Sequence, residues 1–77
     1  MDRLQCMKVL VRVSETASFA EAARQLHMSP PAVTRAVAFL EDATGARLFV
    51  RSTRSVNLTE AGRRYADDCK RILAEID

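Results

Sequence analysis

The sequence is poor in the residues that break helices or build special sites. Its 77 residues hold only two glycines, two prolines, two cysteines, one histidine, one tyrosine, three phenylalanines and no tryptophan. So few glycines, prolines and aromatics argue against a β-sandwich and against collagen-like repeats. Cys6 and Cys69 are too far apart for a CxxC zinc or redox pair. His27 has no second imidazole with which to hold a metal, so no cofactor is expected. No run approaches the roughly 20 apolar residues of a membrane span. Met1-Asp2-Arg3-Leu4 lacks the basic-then-apolar order of a signal peptide. The expectation is a cytoplasmic protein with reduced thiols.

What remains is one small, apolar-rich domain. Apolar residues make up 48% of the chain, too many for a disordered tail. A chain this short buries only about 60% of its unfolded surface, which leaves little room for an enclosed active site. No paired carboxylates, nucleophile–base pair or phosphate loop can be assembled, so an enzyme is not expected.

The net charge is only +2, from 12 basic and 10 acidic residues, but its distribution is uneven. Ala22 to Leu40 contains no acid and carries Arg24, His27 and Arg35. Ala43 to Thr59 again contains none and carries Arg47, Arg51 and Arg54. If the fold joins these windows, they form one positive face.

Periodicity predicts a helix over about 2–15, with Leu4, Met7, Leu10 and Val11 on one face and Cys6, Val9 and Val13 on the next. Ser18-Phe19-Ala20-Glu21 is a capping-box pattern. It predicts a helix from Phe19 to about His27 that buries Phe19, Ala22, Ala23 and Leu26. After a very short link, Ser29 caps a third helix, with prolines tolerated in its first turn. Val33, Ala36, Val37 and Leu40 form its buried stripe, and Pro31, Thr34, Arg35 and Ala38 its outer face. Gly45 ends it. Leu48-Phe49-Val50 and Ser55-Val56-Asn57-Leu58 read as two short strands around a basic loop. Thr59 caps a last helix with a stripe of Ala61, Tyr65, Cys69, Ile72 and Ile76, broadened by Leu73. The rest of the chain is too small to cover that helix, which points to a partner helix. Arg24 reads as a surface charge, Arg47 as a partner for Glu41 or Asp42, and both cysteines as small buried residues.

Two helices joined by so short a turn, the second with a basic, short-side-chain outer face, make a helix-turn-helix. Such a helix fits the major groove of DNA. Arg35 can bond guanine or phosphate, Thr34 a base edge or thymine methyl, and Pro31 and Ala38 can make apolar contacts.

The run from Ser18-Phe19 through Ala22-Ala23, Leu26-His27-Met28-Ser29-Pro30-Pro31-Ala32-Val33-Thr34-Arg35, Leu48-Phe49-Val50-Arg51 and Leu58-Thr59-Glu60-Ala61-Gly62 resembles the N-terminal domain of LysR-type transcriptional regulators. The resemblance covers nearly the whole chain. It implies a mainly α fold: a winged helix-turn-helix over 1–59, with the helix-turn-helix at about 19–38 and the wing at about 47–58. A linker and dimerisation helix would occupy 60–77. Carried across, Pro31, Thr34 and Arg35 match base and phosphate contacts of the recognition helix. Arg54, with Arg51 and Thr53, matches wing contacts, and Ser18 sits where the second helix nears a phosphate. Pro30 stands where many members have glutamine, so any reading of DNA there is apolar or absent.

The resemblance further implies a homodimer through the linker helix, at Tyr65, Cys69, Ile72, Leu73 and Ile76, bound to an inverted-repeat operator in double-stranded DNA. Family members continue into a ligand-sensing domain. The chain is then either an excised DNA-binding domain, the favoured expectation, or a naturally short relative, and a small-molecule co-inducer would act only through a domain outside this chain. The alternative is a winged-helix protein-interaction module that does not touch DNA.

Overall fold

A computed structural model describes residues 2–51 and 56–76. It contains α1 (Arg3–Thr16), α2 (Phe19–Leu26), α3 (Pro30–Thr44), β1 (Phe49–Arg51), β2 (Val56–Leu58) and α4 (Glu60–Ile76). The expected fold class is the one observed: mainly helical, with a small antiparallel hairpin. In the hairpin Phe49 faces Leu58, Val50 faces Asn57 and Arg51 faces Val56. Ser52, Thr53, Arg54 and Ser55 lie outside the described residues, so the expectations for Thr53, Arg54 and the start of the second strand fall there.

Local chemistry sets the helix ends. The Asp2 carboxylate accepts the Leu4 N–H at 3.1 Å and opens α1. Ser18 Oγ accepts the Glu21 N–H at 3.0 Å and opens α2. Ser29 Oγ accepts the Ala32 N–H at 3.2 Å and opens α3. Thr59 Oγ1 accepts the Gly62 N–H at 2.9 Å and opens α4. At the other ends, Ala17, His27 and Gly45 all take the left-handed conformation, with φ of 55°, 57° and 71°. In each case a helix stops because the chain turns back on its last carbonyls.

The capping box is half formed. Glu21 does not reach back to the Ser18 N–H, because Thr16 Oγ1 already accepts it at 3.3 Å. The Glu21 carboxylate instead binds the guanidinium of Arg24 and the amide of Gln25.

α1 is the central rod and packs against α2, α3 and α4. Cys6, Met7, Val9, Leu10 and Val13 of α1 share one core with Ala22, Ala23, Val33, Ala36, Val37, Leu40, Leu48, Phe49, Ala66 and Cys69. Phe19 and Leu26 are half-buried at its edge rather than fully inside. Ala22 and Ala23 let α2 lie close to its neighbours, since a methyl group is all that must fit between the helices.

The expected stripe on α4 needs correction. Gly62, Ala66 and Cys69 are its buried residues, while Ala61 is exposed. Positions 62, 66, 69 and 73 form the inward line, which at 3.6 residues per turn lies roughly a fifth of a turn around the helix from the centre of the expected stripe. Cys69 is 1% exposed and belongs to the core, so it has no surface to offer a second chain. Tyr65 and Leu73 are half-buried. Ile72 and Ile76 are 38% and 59% exposed.

Candidate nucleic-acid interface

α2 ends in a tight chain reversal. The Met28 N–H donates to the Ala23 carbonyl at 2.9 Å, and the His27 N–H to the Arg24 carbonyl at 3.3 Å. This double bond pattern satisfies the last carbonyls of α2 within two residues. α3 can therefore start at Pro30, only three residues after α2 stops. Burial of Val33, Ala36, Val37 and Leu40 then rolls α3 so that Pro31, Arg35 and Ala38 face outward. Pro30 is exposed beside them. Thr34 is half-buried, so it offers less to an incoming ligand than its neighbours do. Phe39 is 36% exposed on the same helix.

The hairpin is anchored at its root by Leu48, whose side chain is buried. The Leu48 N–H donates to Glu41 Oε2 of α3 at 2.8 Å. Its carbonyl accepts the Thr59 N–H at 3.0 Å. Thr59 Oγ1 also donates to the Arg47 carbonyl at 2.6 Å. Glu41 is thus committed to a backbone N–H, and Arg47 makes no ion pair among the described residues. The expected Arg47–Glu41 or Arg47–Asp42 pair is not what forms.

Arg51 lies over Phe19, with its guanidinium carbon 4.2 Å from the ring centroid. The Phe19 ring also meets Phe49 edge to face, at 5.9 Å and 74°. Ser18 comes next to this stack in the chain. Its hydroxyl oxygen caps α2, and among the described residues its proton meets no acceptor.

Among the described residues, α3 and the wing take no part in ion pairs. The ion pairs among the described residues are Arg12–Glu15, Arg24–Glu21, Arg64–Glu60 and Arg71–Asp68, each within one helix. All lie on α1, α2 or α4. None involves α3, β1 or the link between them, where Arg35, Arg51 and Arg47 respectively are exposed. The two acid-free windows of the sequence adjoin where the Leu48 N–H bonds Glu41 of α3, with Glu41 and the exposed Asp42 between them. Arg24, inside the first window, is drawn away by Glu21. That contact, with help from Gln25, holds the Glu21 carboxyl down at about 2. Burial pushes the Cys69 thiol up to about 11, with Asp68 adding to the effect, and burial likewise raises Cys6. Both thiols thus stay protonated at neutral pH.

Among the described residues no three His, Cys, Asp or Glu side chains gather as metal ligands. No described helix is long and apolar enough to cross a membrane.

Sequence reasoning missed three contacts here: Glu41 to Leu48, Arg51 on Phe19, and the close approach of Gly62 to Leu48. A glycine in the first turn of an otherwise good helix was the one available signal, since it costs helix stability unless space demands it.

Comparison with known proteins agrees with this geometry. Residues 4–63 match the family described as bacterial regulatory helix-turn-helix protein, lysR family. The HTH-type transcriptional activator AaeR of Escherichia coli (strain K12) is 49% identical over 76 residues, which is 99% of this chain and 25% of AaeR. The chain thus spans about a quarter of the length of that relative. The crystal structure of the CbnR DBD–DNA complex superposes with a TM-score of 0.93 at 37% identity, covering 99% of this chain and 86% of that one. The BenM DBD in complex with benA site 1 DNA gives 0.92 at 30% identity, covering 100% and 85%. With the fold, the short turn and the wing all in place, this chain belongs to the lysR family of bacterial regulatory helix-turn-helix proteins.

Proposed function

We propose that this chain binds double-stranded DNA in a sequence-specific manner as the DNA-binding part of a bacterial transcription regulator. One observation carries the reading. The outward face of α3 and the adjoining wing hold exposed arginines that have no carboxylate partner among the described residues, where every ion pair lies on one of the other three helices. A positive surface centred on a protruding helix suits the major groove and its flanking phosphates. The DNA complexes of CbnR and BenM support the same reading.

In this proposal α3 enters the major groove. Arg35 bonds guanine or phosphate, Pro30, Pro31 and Ala38 make apolar contacts, and Thr34 contributes at the edge. Ser18 donates to a phosphate, and Arg51, Thr53 and Arg54 serve the wing. Residues 1–59 present this surface. Residues 60–77 pair with a second copy through Ile72 and Ile76, with Leu73 and Tyr65 beside them. Two copies place their recognition helices about one helical turn apart on an inverted repeat. A small-molecule co-inducer would act only through a domain outside this chain, and the site of action is the cytoplasm, at the nucleoid.

Selection of bound duplexes from a random DNA pool tests the specificity, and a salt titration of the selected duplex tests the electrostatics. Two copies neutralising about eight phosphates give a slope of log affinity on log salt near −7. A slope near zero, with no enriched sequence, would overturn the reading in favour of a protein-interaction module.

A further inference from the structure

Phe19 is the first residue of α2, and its ring is contacted from two sides. Its face carries the Arg51 guanidinium at 4.2 Å, and its edge geometry with Phe49 is a T at 5.9 Å. Phe49 and Arg51 are two residues apart on β1, so both side chains leave the same face of that strand. β1 therefore meets one aromatic ring with two side chains from the same face, the buried Phe49 and the exposed Arg51. An aromatic face attracts a guanidinium through its quadrupole, and the weakly hydrated, planar arginine head stacks there at little cost. Arg51 is also the last residue of β1. A free arginine side chain loses much rotamer entropy when it is ordered on a ligand. On Phe19 that ordering is already done.

We propose that Phe19 is a positioning residue for the wing: its ring holds the Arg51 guanidinium in place before DNA arrives, so that the charge meets a phosphate already oriented. The inference rests on the DNA-binding reading above and adds a residue that does not itself touch DNA.

The test is a double-mutant cycle on this chain with Phe19→Leu, Arg51→Gln and both together. Affinity is measured on a duplex selected from a random pool and on a scrambled duplex, over a range of salt. Phe19→Leu keeps an apolar side chain but removes the π face. It is expected to weaken binding about two- to five-fold on both duplexes, with the salt slope unchanged. Arg51→Gln is expected to reduce the slope by about 0.9 per subunit. Once Arg51 is gone, Phe19→Leu should have no further effect, and Phe19→Tyr should bind like the wild type. Additive losses would overturn the proposal, because they would mean that Phe19 acts only as packing.

A second measurement needs no variant that could misfold. In the DNA-free wild-type chain, the Arg51 Cδ protons should show an upfield ring-current shift in NMR spectra, and their absence would overturn the stack. Wild-type chain that binds no DNA would sink the functional reading and this inference with it. Salt-dependent binding with an additive cycle would sink the inference alone.

Discussion

Gly62 of α4 and Leu48 at the root of the wing meet backbone to backbone. A Cβ on Gly62 would overlap the Leu48 carbonyl oxygen and lie 2.8 Å from the carbonyl carbon and 3.0 Å from Cα. The obstacle is main chain on both sides, held by the Leu48 carbonyl to Thr59 N–H bond. No side-chain rotamer can relieve it.

Gly62→Ala is therefore expected to destabilise the chain by about 3 kcal/mol or more, the upper range for forced overpacking. Gly45→Ala makes the contrast. Gly45 has φ +71° with nothing within 4 Å of an added Cβ, so only the left-handed strain counts, at about 1–2 kcal/mol. Urea denaturation of both variants checks the order. A gain in stability for Gly62→Ala would show that helix propensity, which favours alanine over glycine by about 1 kcal/mol, outweighs the lack of space.

Arg35→Ala is expected to cost about 1–3 kcal/mol of affinity for a selected duplex and to relax the preference at one base pair per half-site. Competition binding against cognate and random DNA measures it. If affinity falls equally on both, Arg35 holds phosphate and reads no base.

The Glu21–Arg24 contact gives a pH dependence of known sign. The Glu21 carboxyl is lowered to about 2 in the fold, chiefly by its hydrogen bonds to Arg24. Its contribution to stability is therefore fully present above the unfolded value near 4.3 and is lost as pH falls through about 2. Arg24→Met should return the Glu21 midpoint, followed by NMR, toward the ordinary carboxylate range and flatten the stability profile between those two pH values. A midpoint unmoved by the substitution would place the cause outside the pair.

Ile72→Glu should leave the fold of one chain intact, because Ile72 is already 38% exposed, and should shift the chain from dimer to monomer in sedimentation velocity. Cys69→Ser supplies the opposite outcome. It should lower stability, since Cys69 is in the core, without acting on association at a solvent-facing seam. A dimer that survives Ile72→Glu would place the pairing surface on another part of the chain.

Much of the architecture could be read from local residues. Ser18, Ser29, Gly45 and Thr59 announced helix ends because a cap is made within three or four residues of its own helix. The recognition face was legible because Val33, Ala36, Val37 and Leu40 fix the roll of α3 by themselves. The stripe on α4 was less legible. Ala61, Tyr65 and Cys69 form a plausible line on their own, and only the closeness of Leu48 explains why Gly62 is turned inward instead. Glu21 illustrates the same limit. Its reach back to Ser18 was a sound local expectation, but Thr16 had already filled that position. Phe19 read as a core residue, and no spacing rule could tell that a strand 30 residues later would lay an arginine on it. Contacts decided between distant segments leave almost no trace in either segment alone.

Leu48 has a mechanical consequence. Its N–H is fastened to Glu41 of α3, its carbonyl to Thr59 at the head of α4, and its main chain abuts Gly62. α3, the hairpin and α4 are thus bolted at a single residue. A twist applied along α4 is thereby expected to reach the wing through Leu48. The angle between two paired α4 helices would then set how far apart the two wings ride on a duplex.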